Sequence, residues 1–436
     1  MTQSGVTPRL LNVEQFKRRI NRNDPVANIY RNAIDLNRFS NAVAGQIVRD
    51  YNSIILSAVE DLRRIDLGVP TAGGGIVSPA SVQAQRLRVL LAQLKESLDS
   101  WAERSTAYAA VELQGLAELQ TEFVTDQLRL AVAGGEAGGR GIEPSVVAQQ
   151  AVNTVEVAPN FAATVATVDP TDLNFTLPGT GGFNLTAGQG AAITLPNGQV
   201  VEKAFRGLAE SQAQRFNTTI RTGILAGEPT PQIARRLVGN LDFGQLAKTA
   251  KQQALAGGEL IKMADHQVLT VVRTSVQQVA NTASQNVYQA NQDVTKKYRY
   301  VATLDSRTSA ICRSLDGKEY VYGKGPQPPV HFNCRSTTIP IVDYRALGLR
   351  PPEEVIGEGT RAAEGGRVSA STNYGQWLQK QPRAYQEEVL GKSRAAYFDR
   401  LSQKFGPQQA LSRMVREDGS EVPLRVLQER YGSNNG

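Results

Sequence analysis

The sequence predicts a mainly α-helical protein with a small α+β central domain. Three observations carry this expectation. Apolar residues recur at three- and four-residue steps over long stretches on both sides of the chain's middle. The segment from Gly141 to Val201 contains no Lys or Arg and is rich in Thr, Val, Asn and Gly. Both cysteines and one of the two histidines fall between Thr303 and Pro340, which points to one small compact site. With 436 residues the chain has room for two or three domains. Its 41% hydrophobic and 20% charged composition fits a folded soluble protein rather than a disordered one.

Val13 to Asp66 reads as helical, with Phe16, Ile20, Ile29, Ala33, Leu36 and then Ile47, Tyr51, Ile54, Ile55, Ala58 and Leu62 on buried steps. Asp24-Pro25 has the chemistry of a helix start. After the break at Gly73-Gly74-Gly75, a second long helix is expected from near Ser81. Leu87, Leu91, Leu94, Leu98, Trp101, Ser105 and Tyr108 form its coiled-coil-like seam, and Leu90, Leu113 and Leu116 widen the apolar surface. Residues 1–133 are therefore expected to form a long antiparallel helical hairpin, either packed on itself or docked on a partner.

Residues 134–201 read as a Gly/Thr-rich linker or small β insertion, with Pro196-Asn197-Gly198 as the turn of a short hairpin. Helical pattern resumes with Phe205, Leu208, Phe216, Ile220 and Ile224, then with Ile233, Leu237 and Val238 after Thr230-Pro231. A longer helix follows from about Met263 to Val294, striped by Leu269, Val272, Val276, Val279, Ala283, Val287 and Ala290. Lys297 to Leu304 alternates as a strand does. The central domain spans 202–345, a linker 346–372, and a small helical C-terminal domain 373–436.

The cassette inside the central domain begins Thr303-Leu304-Asp305-Ser306-Arg307-Thr308 and continues through Cys312 to Leu315-Asp316-Gly317-Lys318. It closes on Pro328-Pro329-Val330-His331-Phe332-Asn333-Cys334-Arg335-Ser336. This order resembles the signature of the phage Mu F-like minor head (head morphogenesis) proteins. The resemblance extends from about Val201 to Glu429. It takes in Arg273-Thr274 on the preceding helix and Asn373 to Gln381 in the tail, but neither the N-terminal hairpin nor the insertion.

Three chemical readings compete for the cassette. Cys312, His331 and Cys334 are metal-type ligands, yet structural zinc takes four. The resemblance implies Cys at two further positions, where this chain has Ser309 and Ser336, leaving Asp305 or Asp316 as conceivable fourth ligands. No bound metal or other cofactor is expected, with zinc the alternative. A Cys–His nucleophile is the second reading, disfavoured because Cys334 lies only three residues from His331. The favoured reading is architectural. Asp305, Arg307 and Arg335 form a buried ion-pair network, Asp316-Gly317 makes a turn, and Thr303, Thr308, Pro329 and Asn333 hold irregular backbone. His266 is expected at a helix surface or cap.

No apolar run approaches the roughly 18–20 residues of a membrane span, and the N-terminus lacks the apolar core of a secretion signal, so synthesis in the host cytoplasm is expected. The net charge of +7 permits contact with nucleic acid without demanding it. The resemblance implies a non-enzymatic structural protein inside the virion. Its implied partners are the portal protein and the major capsid or scaffolding protein, with weak nonspecific contact with packaged DNA. Ejection with the genome is conceivable, and membrane contact is expected only in that event. A toxin-type effector carried in the virion is the competing class.

Overall fold

The computed structural model describes residues 25–65, 82–137, 166, 195–246, 248, 250–347 and 359–432. The helices before the sheet are α1 (Pro25–Arg63), α2 (Val82–Ala137), α3 (Val201–Leu225), α4 (Thr230–Val238), α5 (Ala250–Ala256) and α6 (Glu259–Ala290). Strand β1 (Thr295–Val301), helix α7 (Ala310–Leu315) and strands β2 (Glu319–Val321) and β3 (Thr337–Val342) build the cassette. A hairpin of β4 (Thr360–Ala363) and β5 (Gly366–Ser369) leads to helices α8 (Tyr374–Gln379), α9 (Arg383–Leu390), α10 (Lys392–Phe405), α11 (Pro407–Arg413) and α12 (Leu424–Tyr431). Mainly helical architecture with a small antiparallel sheet is what the sequence predicts. Phe16, Ile20 and most of the 134–201 insertion lie outside the described residues.

The chain divides into two compact units. The first takes the described residues within 37–115 and 182–276. Its α1 and α2 segments run antiparallel, because Trp101 packs beside Ile47 while the start of α2 faces Ile65 across a groove. Trp101 is the hub. Its indole N–H donates to the Ile47 carbonyl at 3.1 Å, and its ring lies 5.4 Å from Tyr51 and edge-on to Phe205 at 6.0 Å. Polar groups sealed in this core pair with each other, as in Tyr51 Oη to Gln212 Oε1 and Asn52 Nδ2 to Gln253 Oε1.

The seam on α2 is turned from its expected line. Leu90, Leu94, Leu98, Trp101, Ala102, Ser105 and Ala109 are buried, whereas Leu87, Leu91 and Tyr108 are only half-buried. Leu90, Leu113 and Leu116, expected to widen an outward apolar surface, are buried within the chain itself. Among the described residues of α2, the large apolar side chains left exposed are Val82, Val89 and Val111. On α3 and α4, Phe205, Phe216, Ile220, Ile233, Leu237 and Val238 are fully buried, as their spacing predicts. The Asn197-Gly198 turn forms, with Gly198 at φ 78°, but Val201 opens α3 instead of extending a strand.

The second unit takes the described residues within 25–36, 116–166 and 277–432. Its sheet has the order β2-β1-β3, antiparallel throughout, with Tyr298 opposite Tyr320 on one side and Pro340 on the other. Phe123 and Val124 from α2 pack with Val287, Tyr288, Tyr298 and Tyr322, and Leu128 and Val132 pack with Val294. The end of the N-terminal hairpin thus belongs to the core of the cassette. The half of α6 in this unit is buried along with its amides, whose nitrogens find acceptors: Gln285 donates to Thr338 Oγ1 at 2.8 Å and Asn281 to the Ser336 carbonyl at 3.3 Å.

The stretch expected as a linker, 346–372, contains the β4–β5 hairpin. Gly365 and Gly366 turn it with φ 89° and 150°, a conformation other residues rarely adopt. Beyond it, Tyr374, Trp377, Leu378, Phe398, Leu401 and Leu411 close around Leu304 of the cassette in one apolar cluster. An Asn373 capping box opens α8 there.

Candidate functional site

Asp316 is the innermost polar group of the cassette. It ends α7, and Gly317 follows at φ 79°, so the Asp-Gly pair reverses the chain into β2 as expected. The Asp316 carboxylate is wholly buried and accepts four hydrogen bonds. Ala302 N–H (2.6 Å) and Arg361 Nη2 (3.1 Å) reach Oδ1, and Tyr374 N–H (2.6 Å) and Arg361 Nη1 (3.1 Å) reach Oδ2. Arg361 also donates to the carbonyls of Ala302 at 2.5 Å and Thr372 at 2.8 Å. A buried charge survives only when paired and hydrogen-bonded in this way. Sequence reasoning missed Arg361. The signal available was the Gly365-Gly366 turn between two short alternating runs.

A second ion pair lies nearer the surface. Arg335 grips Asp305 with both arms, Nη1 to Oδ2 at 2.5 Å and Nη2 to Oδ1 at 2.7 Å. Arg307 N–H and Thr308 Oγ1 add bonds to Oδ1, and Thr308 also ties back to the Thr303 carbonyl at 2.6 Å. Thr303 in turn donates to the Arg335 carbonyl at 3.2 Å. Burial resists ionisation of Asp305, but the hydrogen bonds and charge of Arg335 outweigh it and hold the carboxyl below its ordinary range. Arg307 departs from expectation: its side chain is 79% exposed and only 3.6 Å contact with Asp305 joins it to the network. It is a surface residue because its backbone, not its guanidinium, makes the turn.

The third cluster is sulfur-centred. Ser309 caps α7, its hydroxyl 3.4 Å from the Cys312 N–H and 2.7 Å from His331 Nε2. Cys312 Sγ lies 3.1 Å from the same nitrogen and 3.7 Å from Cys334 Sγ, and the three ligand atoms of Cys312, His331 and Cys334 fall within 4.8 Å of one another. Nδ1 of His331 is 2.7 Å from the Phe332 carbonyl. That contact places a proton on Nδ1, so in the neutral ring Nε2 is the acceptor. Asn333 adopts the left-handed conformation (φ 57°) in the tight loop between His331 and Cys334, a role asparagine tolerates better than most residues. Pro328-Pro329 precedes it, both residues buried.

The two thiols differ electrostatically. The hydrogen bond from Cys312, reinforced by backbone N–H groups of Ser336 and Val330, pulls Cys334 down to about 6 against the effect of burial. Cys312, donating to Cys334 and buried, is pushed well up. Burial works against a charged His331 ring, but the contact with Cys312 prevails and raises its pKa. Cys312 and Cys334 are 2% and 1% exposed, so neither sulfur is open to an approaching substrate. The histidine faces Cys312 from a separate element rather than its near neighbour in sequence. Asp305 and Asp316, the conceivable fourth metal ligands, are both engaged by arginines. His266 is exposed on α6, and Arg273 donates twice to Asn41 while Thr274 is buried.

Residues 214–339 match the family described as "Phage Mu protein F like protein". No curated protein matches the chain, and neither does any solved structure. The matched span ends at β3, short of the tail residues around Trp377 that share the cassette's core. Among the described residues no helix is long and apolar enough to cross a membrane. Residues 214–339, which hold the three clusters apart from Arg361, Thr372 and Tyr374, form a Mu F-like region, similar to the phage head morphogenesis proteins.

Proposed function

We propose that the chain acts as a structural minor head protein of a tailed bacteriophage, working in procapsid assembly from inside the head near the portal. The match over residues 214–339 carries this reading. The inward closure of the cassette supports a non-enzymatic role, because its charged groups are bonded to one another and its sulfurs are sealed. Long helices with exposed Val82, Val89 and Val111 offer contact points to a portal, major capsid or scaffolding protein. Departure with the genome is a further step that this placement allows.

The test is to purify heads of the encoding phage and to resolve the portal vertex by cryo-electron microscopy without imposed icosahedral symmetry. The chain is expected in procapsids and mature heads, with density at the portal. Its absence from both would overturn the reading. The enzyme alternative would gain if heads lacking only the Cys312 thiol assembled normally yet failed on infection.

A further inference from the structure

We propose that Cys312, His331 and Cys334 bind a zinc ion, with the Ser309 hydroxyl at the fourth corner. This goes beyond the head role and stands independently of it. The first argument is size. Zn–S bonds of about 2.3 Å in a tetrahedron put two thiolates about 3.8 Å apart, and a thiolate and an imidazole nitrogen about 3.6 Å apart. The sulfurs of Cys312 and Cys334 are 3.7 Å apart, and the Cys312 sulfur is 3.1 Å from Nε2. Reaching the coordination geometry takes a shift of about half an ångström in the second pair and a similar widening between Nε2 and the Ser309 oxygen, 2.7 Å apart here.

The second argument is orientation. Metal-bound histidine characteristically donates its other ring N–H to a carbonyl or carboxylate, which fixes the tautomer and aims the free lone pair. The Phe332 carbonyl takes that part here, and Nε2 points at Cys312 and Ser309. Backbone N–H groups of Val330 and Ser336 reach the Cys334 sulfur in the same supporting manner. The third argument is ligand chemistry. Two soft thiolates and an imidazole select zinc over magnesium or calcium. With both nearby aspartates held by arginines, a neutral hydroxyl is the group left at the fourth corner. The ion would clamp the start of α7 to the loop entering β3, reinforcing the Asp305–Arg335 pair that already ties the neighbouring segments.

The full chain, purified under reducing conditions without a metal-affinity step, is expected to carry about one zinc per chain by elemental analysis. Strong chelator should lower its melting temperature, and cobalt(II) loaded in place of zinc should give thiolate-to-cobalt absorption. Cys312→Ser and Cys334→Ser should abolish both metal content and that absorption. Because those variants can fail to fold, Ser309→Cys serves as the second arm. A fourth thiolate should tighten zinc at least about tenfold in chelator competition. Zinc below about a tenth per chain after incubation with the metal overturns the proposal, as does unchanged affinity in Ser309→Cys. So does a Cys312–Cys334 disulfide in the reduced preparation, or zinc retained by the double serine variant.

Discussion

Arg361 and Asp316 form a bidentate ion pair across 45 residues of chain, both contacts at 3.1 Å, with side chains 3% and 0% exposed. The pair joins the cassette to a hairpin that composition alone marks as linker. Its energy depends on completeness, since each partner without the other is a buried, uncompensated charge.

Removing one member is therefore expected to cost far more than the pair contributes. Arg361→Ala should lower the unfolding free energy by about 3–5 kcal/mol in urea titrations. Arg361→Lys should rescue little of this, because an ammonium cannot bridge both carboxylate oxygens and the carbonyls of Ala302 and Thr372. A loss under about 1 kcal/mol for Arg361→Ala would show that water reaches the site.

The Asp305–Arg335 pair makes stability depend on acid. The Asp305 carboxyl titrates lower in the folded chain than in the unfolded one, where it has a pKa of about 3.9. Its contribution is thus fully present above that value and disappears as pH falls through the folded pKa. Stability curves of the wild type and Asp305→Asn should stand apart from pH 5 to 8 and converge in acid below about pH 4. Arg307→Ala should change stability by no more than about 0.5 kcal/mol, its side chain being solvated. Parallel curves for Asp305→Asn at every pH would place the charge elsewhere.

Phe123 is distant in sequence from the sheet yet fills its core against Tyr288 and Tyr298. Phe123→Ala should cost about 3–5 kcal/mol, and deletion of residues 1–133 should leave a chain without a cooperative melting transition. A deletion variant that melts sharply would mean that the central domain is self-sufficient.

DNA contact should be weak and steeply salt-dependent. Arg63 and Arg64 are offset by Glu60 and Asp61, and Arg236 by Glu228, so the basic pairs add little field of their own. Electrophoretic shifts of random-sequence duplexes should vanish between low and physiological salt, as counterion release requires. Tight or sequence-selective binding at physiological salt would contradict this.

Short-range features were legible in the sequence. The Asp316-Gly317 turn, the buried positions of α4 and the Asp305–Arg335 partnership follow from spacing and residue type. Long-range pairing was not. Nothing local in Thr360-Arg361-Ala362 announces a carboxylate 45 residues earlier, and short alternating strands flanked by glycine look like linker. On α2, steps of four and three fit two adjacent stripes equally well, and only packing decides that Leu90 rather than Leu87 faces inward. The convergence of His331 on Cys312, not its neighbour Cys334, likewise needed the fold.

The bonds of Asp316 to Arg361 and Tyr374 also impose an order on synthesis. On the ribosome the cassette emerges well before the two groups that satisfy its innermost carboxylate. A nascent chain arrested between β3 and β4 would hold Asp316 without its cation and Leu304 without its apolar cover. Such a chain stays open to proteases, whereas one that has cleared the tunnel through α8 can close. Complete closure of the cassette core therefore waits until translation has run past residue 374.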